Sequence, residues 1–264
     1  MADQDPVTLD VTDSGVALLR LNRPEKHNAL NQDLIRALID HLEEIRATPS
    51  VRVVMLEGAG KSFSAGVDLE WLRFAEDYTH SDNVEDGRLI ADLLHRLHNL
   101  EQPTIALVNG AAIGGAVGLI AACDIAIAVK WAEFRFAEVR LGITPATIAP
   151  YVTKAIGPRW ARMLFATGKT FDAQLAHAIG LVHYVVEDAV SLHQEADELV
   201  DVIFHGAPGA IAAAKKLVDD VMWREISAGL RHMTAERLAD ARASDEGREG
   251  VVAFLEKRKP SWAQ

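Results

Sequence analysis

Residues 109–124, NGAAIGGAVGLIAACD, lie between two short apolar runs, TIALV at 104–108 and IAIAV at 125–129. Runs of this length bounded by turn residues read as strands buried on both faces. The segment between them predicts a tight turn that opens a short helix over about 115–122. Glycines at 110, 114, 115 and 118 let a ligand or another backbone come close, and a helix start leaves backbone N–H groups without partners. That combination suits an anion or a polarised carbonyl oxygen. It equally suits a helix packed tightly on a sheet, and this stretch alone leaves both readings open.

The flanking chain repeats the pattern. Val7 to Thr12 and Val16 to Leu21 surround Asp13-Ser14-Gly15 as a hairpin. After a polar loop at 22–30, Asn31 is a candidate N-cap, and Leu34, Ile35, Leu38, Ile39, Leu42 and Ile45 predict a helix over 31–46. A strand at 51–56 runs into a second glycine-rich loop, EGAGKSFSAGVDL at 57–69. Leu89, Ile90, Leu93, Leu94, Leu97 and Leu100 then mark another helix before Pro103. Beyond Ala146 the chain reads as helical, at about 159–165, 172–179, 189–204, 209–222, 225–243 and 248–256, with one strand near 182–186. Strands alternating with helices imply an α/β core with mainly parallel pairing. The expected organisation is a core over 1–200 and a helical region over 201–264 that packs on the core or on a neighbouring subunit.

Composition narrows the class. With 264 residues, 49% hydrophobic and 25% charged, the chain can bury a sizeable core. Its one cysteine, Cys123, excludes internal disulfides and cysteine-based metal clusters and suits a reducing cytoplasm. The acidic start, MADQDPVTLD, has no apolar segment, and no run approaches a membrane span. A net charge of −11 argues against nucleic acid or an anionic membrane as the main partner.

Several motifs fail on one residue. Gly58-Ala-Gly-Lys-Ser62 ends like a phosphate-binding loop, but Met55 stands where its first glycine belongs. Gly110-x-Ala112-x-x-Gly115 departs from a dinucleotide fingerprint at its second glycine and opens too short a helix. His95 and His98 lack a third metal ligand, so no metal is expected. No Gly-x-Ser-x-Gly elbow exists. What survives is a pair of glycine-rich loops, each following a strand. At the same end of neighbouring strands they could aim two backbone N–H groups at one carbonyl oxygen.

At this point the sequence resembles the crotonase superfamily, the enoyl-CoA hydratase/isomerase family, over nearly its whole length. The resemblance rests on Leu21-Asn-Arg-Pro with Asn28-Ala-Leu30, on Lys61-Ser-Phe-Ser-Ala-Gly-Val-Asp68, on Asn109-Gly with Gly114-Gly115, on Cys123-Asp124, and on Glu249-Gly-Val-Val-Ala-Phe-Leu-Glu-Lys-Arg258. It implies a spiral core of repeated ββα turns and a C-terminal helical region that builds homotrimers or homohexamers. It also implies that the Val67 and Gly115 N–H groups polarise a thioester carbonyl and stabilise an enolate. Lys26, His27, Ala65, Gly66, Val67, Asp68, Leu69, Gly114 and Gly115 would line the CoA thioester site. Phe254 and Lys257 would approach its nucleotide end, across a subunit boundary. CoA enters as substrate, with no metal or redox cofactor.

Hydratases of this family use two glutamates, and the resemblance places the second on Glu138 and the first on Gly118. Glu138 is therefore the expected acid/base, in a reaction that adds water to an enoyl-CoA or, with a single carboxylate, moves its double bond; the resemblance also admits a member that binds acyl-CoA without catalysis. Gly118, the loop at 142–150, Asp68-Leu-Glu-Trp71, Asn83 and Glu138-Val-Arg140 resemble the methylglutaconyl-CoA hydratase branch of leucine and isoprenoid breakdown. On that reading Gly118 leaves room for a carboxylate on the acyl group, which a glutamate would repel, and Arg140 is a conceivable counter-ion.

Overall fold

The computed structural model describes residues 5–74 and 77–263; the first four residues of the acidic start lie outside them. Strands β1 (Val7–Val11) and β2 (Val16–Leu21) pair antiparallel about the turn at Gly15, as the hairpin pattern predicts. Onto β2 are added, all in parallel, β3 (Val53–Gly58), β5 (Thr104–Val108), β7 (Ile125–Val129) and β10 (Tyr184–Val186). Every residue of β3 and β5 is buried, which is what a strand covered on both faces requires.

A second sheet has the order β4 (Ser62–Ser64), β6 (Ala111–Ile113), β8 (Glu133–Arg135) and β9 (Phe171–Asp172), the first three parallel. The chain thus winds as large-sheet strand, small-sheet strand, helix. β3 and β4 lead to α2 (Leu69–Phe74) and α3 (His80–His98), β5 and β6 to α4 (Gly115–Ala122), and β7 and β8 to α5 (Ala149–Thr167). This is the ββα spiral that the family resemblance implies. Residue patterns alone give β4 and β6 as loop and turn, because no alternation can develop over three residues.

The helices follow their apolar spacing and their caps. In α1 (Gln32–Arg46) the Asn31 side chain accepts from the Leu34 N–H, and Leu34, Ile35, Leu38, Leu42 and Ile45 are buried. α3 begins well before Leu89, since Thr79 and Asp82 form a reciprocal capping box ahead of a polar first half. α5 also begins earlier than expected. Gly157, at φ 74°, and Pro158 break it in the middle, so only its second half carries the expected helix at 159–165. α6 (Ala173–Ala178), α7 (Ala189–Phe204), α8 (Pro208–Val221), α9 (Ala228–Ala243) and α10 (Asp245–Leu255) lie within a few residues of their predicted spans. Among the described residues, no helix is long and apolar enough to cross a membrane.

Candidate active site

The C-terminal ends of β4, β6 and β8 lie side by side in one parallel sheet, and each delivers one functional group just beyond its last residue. β4 leads through Ala65 and Gly66 to Val67, β6 leads to Gly114 and Gly115, and β8 leads through Phe136 and Ala137 to Glu138. The two glycine-rich loops are therefore neighbours, through the small sheet as well as through the pairing of β3 with β5.

Two glycines allow the loops to touch. Gly66 has φ 83°, and a Cβ there would stand 2.5 Å from the Ile113 carbonyl oxygen. Gly114 has φ 54°, and a Cβ there would stand 2.8 Å from Glu138 Oε1. Any side chain at either position would be strained and would push the loops or the carboxylate away. Gly115 opens α4 beside Leu30, whose backbone bridges to Val67. The Leu30 N–H donates to the Gly66 carbonyl at 2.7 Å and the Asp68 N–H donates to the Leu30 carbonyl at 2.8 Å. With its two neighbours bonded to Leu30, the Val67 N–H points the other way. Neither the Val67 nor the Gly115 N–H meets an acceptor among the described residues. Both are backbone donors without a partner on adjoining loops, and the Gly115 N–H also lies at the positive end of α4.

Glu138 begins a 3₁₀ turn, Glu138–Leu141, and is half-buried with its carboxylate against Gly114. Its Oε2 is buried and meets no donor among the described residues. Burial raises its pKa above the ordinary value of 4.5, and its own backbone N–H pulls the other way. A base with a raised pKa is available only above that pKa. Turnover should therefore be full at higher pH and fall as pH drops through it. We expect the acid limb of kcat/KM above 4.5; a limb at or below that value would place the working base elsewhere.

The remaining predicted residues divide. Lys26, His27 and Ala65 come together at the outer edge of the Val67 loop: the Ala65 N–H donates to the His27 carbonyl at 2.9 Å, and His27 Nδ1 lies 3.1 Å from Ser62 Oγ. Lys26 Nζ reaches Glu70 at 3.3 Å, and Leu69 is 70% exposed. The Asp68 carboxylate is taken up by partners within the chain. The residue is 5% exposed, with one oxygen on the Glu70 N–H and the other on Arg23. Among the described residues, no hydrogen bond or ion pair joins the side chains of Phe254 and Lys257 to this cluster. Phe254 lies in α10, which packs on α8 and α9, Lys257 follows two residues after that helix, and Trp262 docks through its carbonyl on Arg52, before the start of β3 rather than at the loop after it.

The structure corrects the expectation about Gly118. A Cβ on this buried glycine would lie 2.8 Å from the Cβ of Ile148 and closer still to its Cγ2. Ile148, at the start of α5, fills the space that a side chain at 118 would take. Arg140 is exposed on the turn after Glu138. Sequence reasoning missed Ile148 and Arg23, and it quoted Asn28 without a task. Asn28 is fully buried, and its amide donates to the carbonyls of Ala59, Ser62 and Phe63 while its oxygen accepts from the Arg23 N–H. A lone Asn inside the apolar Asn28-Ala-Leu30 string was the available clue.

Two unpartnered N–H groups on neighbouring loops and a half-buried carboxylate against Gly114 thus meet at one end of the small sheet. Residues 11–264 match the model of the enoyl-CoA hydratase/isomerase family. The chain is 34% identical over 246 residues to the short-chain-enoyl-CoA hydratase of Clostridium acetobutylicum, covering 92% of each. It is 31% identical over 272 residues to the mitochondrial Delta(3,5)-Delta(2,4)-dienoyl-CoA isomerase of Dictyostelium discoideum, covering 98% of this chain and 92% of that one. The crystal structure of an enoyl-CoA hydratase from Shewanella pealeana superposes with a TM-score of 0.94 at 38% identity, covering 97% of this chain and 96% of that one. The chain belongs to the enoyl-CoA hydratase/isomerase family, enzymes that act on acyl-CoA.

Proposed function

We infer that the protein adds water across the double bond of an α,β-unsaturated acyl-CoA thioester, with Glu138 carrying one proton from the water to the α-carbon. The Val67 and Gly115 N–H groups take the thioester oxygen and hold the negative charge that develops there. Water gives its oxygen to the β-carbon and a proton to one Glu138 oxygen, and a proton passes from the carboxyl group to the α-carbon. The carboxylate ends as it began. The observation that carries this reading is the Glu138 carboxylate itself, set against Gly114 with one buried oxygen unpartnered. The hydratase named above supports the direction.

One observation favours a second reading. Ile148 puts an apolar side chain where the family's other glutamate would stand, which suits moving a double bond without activating water. Turnover in ¹⁸O-labelled water, with the product identified by mass, separates the two. Hydration leaves one labelled oxygen in each product, and an isomerase leaves none. Running crotonyl-CoA beside 3-methylglutaconyl-CoA tests the acyl group in the same assay. The apolar wall of Ile148 favours the neutral thioester, whereas a carboxylated one would need Arg140 as its counter-ion.

Exposed apolar side chains of the C-terminal region, Trp223 and Ile226 between α8 and α9 and Phe254 and Leu255 on α10, support self-assembly of the 201–264 region as a trimer or hexamer. In such an assembly Phe254 and Lys257 would meet the nucleotide end of a CoA held by a neighbouring copy.

A further inference from the structure

We propose that Arg23 is a positioning residue for the reaction, acting through Asp68 on the direction of the Val67 N–H. The inference rests on the reading of Val67 as an oxyanion donor.

Val67 has no side chain fixed by polar contacts, so its amide goes where its neighbours hold it. On one side Gly66 is bonded to Leu30, and on the other Asp68 is bonded to Leu30 through its own N–H. The Asp68 side chain then fixes the next peptide, with Oδ1 accepting from the Glu70 N–H at 2.9 Å. Its Oδ2 meets Arg23 Nη1 at 3.0 Å, in a pair whose side chains are 17% and 7% exposed. The same guanidinium nitrogen donates to the Ala29 carbonyl at 2.6 Å, one residue before Leu30. Arg23 therefore grips the 23–30 loop and the Val67 loop together, on both sides of the Leu30 bridge. The clamp is anchored from behind by Asn28, which accepts from the Arg23 N–H and donates to three carbonyls around β4.

The pair has an electrostatic consequence as well. A buried carboxylate one residue from the oxyanion donor opposes the negative charge that forms on the thioester oxygen. Paired with Arg23, Asp68 holds its geometry with little net charge. Both effects act on the transition state rather than on binding of the CoA moiety.

Arg23→Gln should lower kcat roughly 10- to 100-fold, with KM for an enoyl-CoA changed less than about threefold. Because that variant leaves Asp68 buried without a counter-ion and could fail to fold, the decisive variant is Arg23→Gln with Asp68→Asn. It holds no buried charge and should keep a near-normal Tm, yet retain a kcat deficit of roughly tenfold with KM little changed. A folded double variant with wild-type kcat, or a deficit confined to KM, overturns the proposal. Absence of enoyl-CoA turnover in the wild-type enzyme would instead overturn the functional reading on which it rests.

Discussion

Glu138→Gln is expected to bind CoA thioesters about as well as the wild-type enzyme while losing roughly 10²- to 10⁴-fold in turnover. The amide fits the same space against Gly114, so the backbone that presents the Gly115 N–H is undisturbed. What is lost is the capacity to accept and return a proton, in a site where burial has already lifted the carboxyl pKa toward the working range. Steady-state kinetics beside a direct binding measurement check the prediction. A variant that turns over within tenfold of wild type would remove Glu138 from the proton path. A variant that no longer binds CoA thioester would make its role structural.

Gly118→Glu is expected to damage the fold rather than add a second catalytic carboxylate. Its Cβ alone would overlap Ile148, and overpacking of this kind costs about 1–3 kcal/mol. An unpaired buried polar group adds roughly another 1–3 kcal/mol. For a chain of this size the sum corresponds to a Tm loss on the order of 10 °C. Gly118→Ala should show a smaller loss that Ile148→Ala partly relieves, because the two side chains compete for one space. Thermal unfolding of the three variants and the double variant measures that coupling. A Gly118→Glu protein with wild-type Tm and improved hydration would mean that Ile148 swings aside and that its packing on Gly118 is not fixed.

The large sheet and most helices were legible because their information is local. β5, α4 and β7 follow from two apolar runs around a glycine-rich turn, and α1 from its cap and spacing. The small sheet was not, since β4, β6 and β8 have three residues each and are defined by what they pair with. The candidate site inherits that difficulty. The strings around Val67, Gly115 and Glu138 could be read one at a time, and the family resemblance linked them. Their shared edge exists only once three short strands lie in parallel. Ile148 illustrates the limit most clearly: Gly118 looked like empty space because the side chain that fills it comes from another repeat. The pairing of Asp68 was hidden for a related reason, since its partner Arg23 sits in a loop that only the Leu30 bridge brings close.

The central claim is that Val67 and Gly115 hold an enolate whose proton belongs to Glu138. Exchange of the α-protons of a saturated acyl-CoA with deuterium from solvent, followed by NMR or mass spectrometry, tests it without requiring the natural acyl chain. The wild-type enzyme should catalyse the exchange, and Glu138→Gln should bind the same thioester and leave its α-protons in place. Exchange at the wild-type rate in Glu138→Gln would contradict the account.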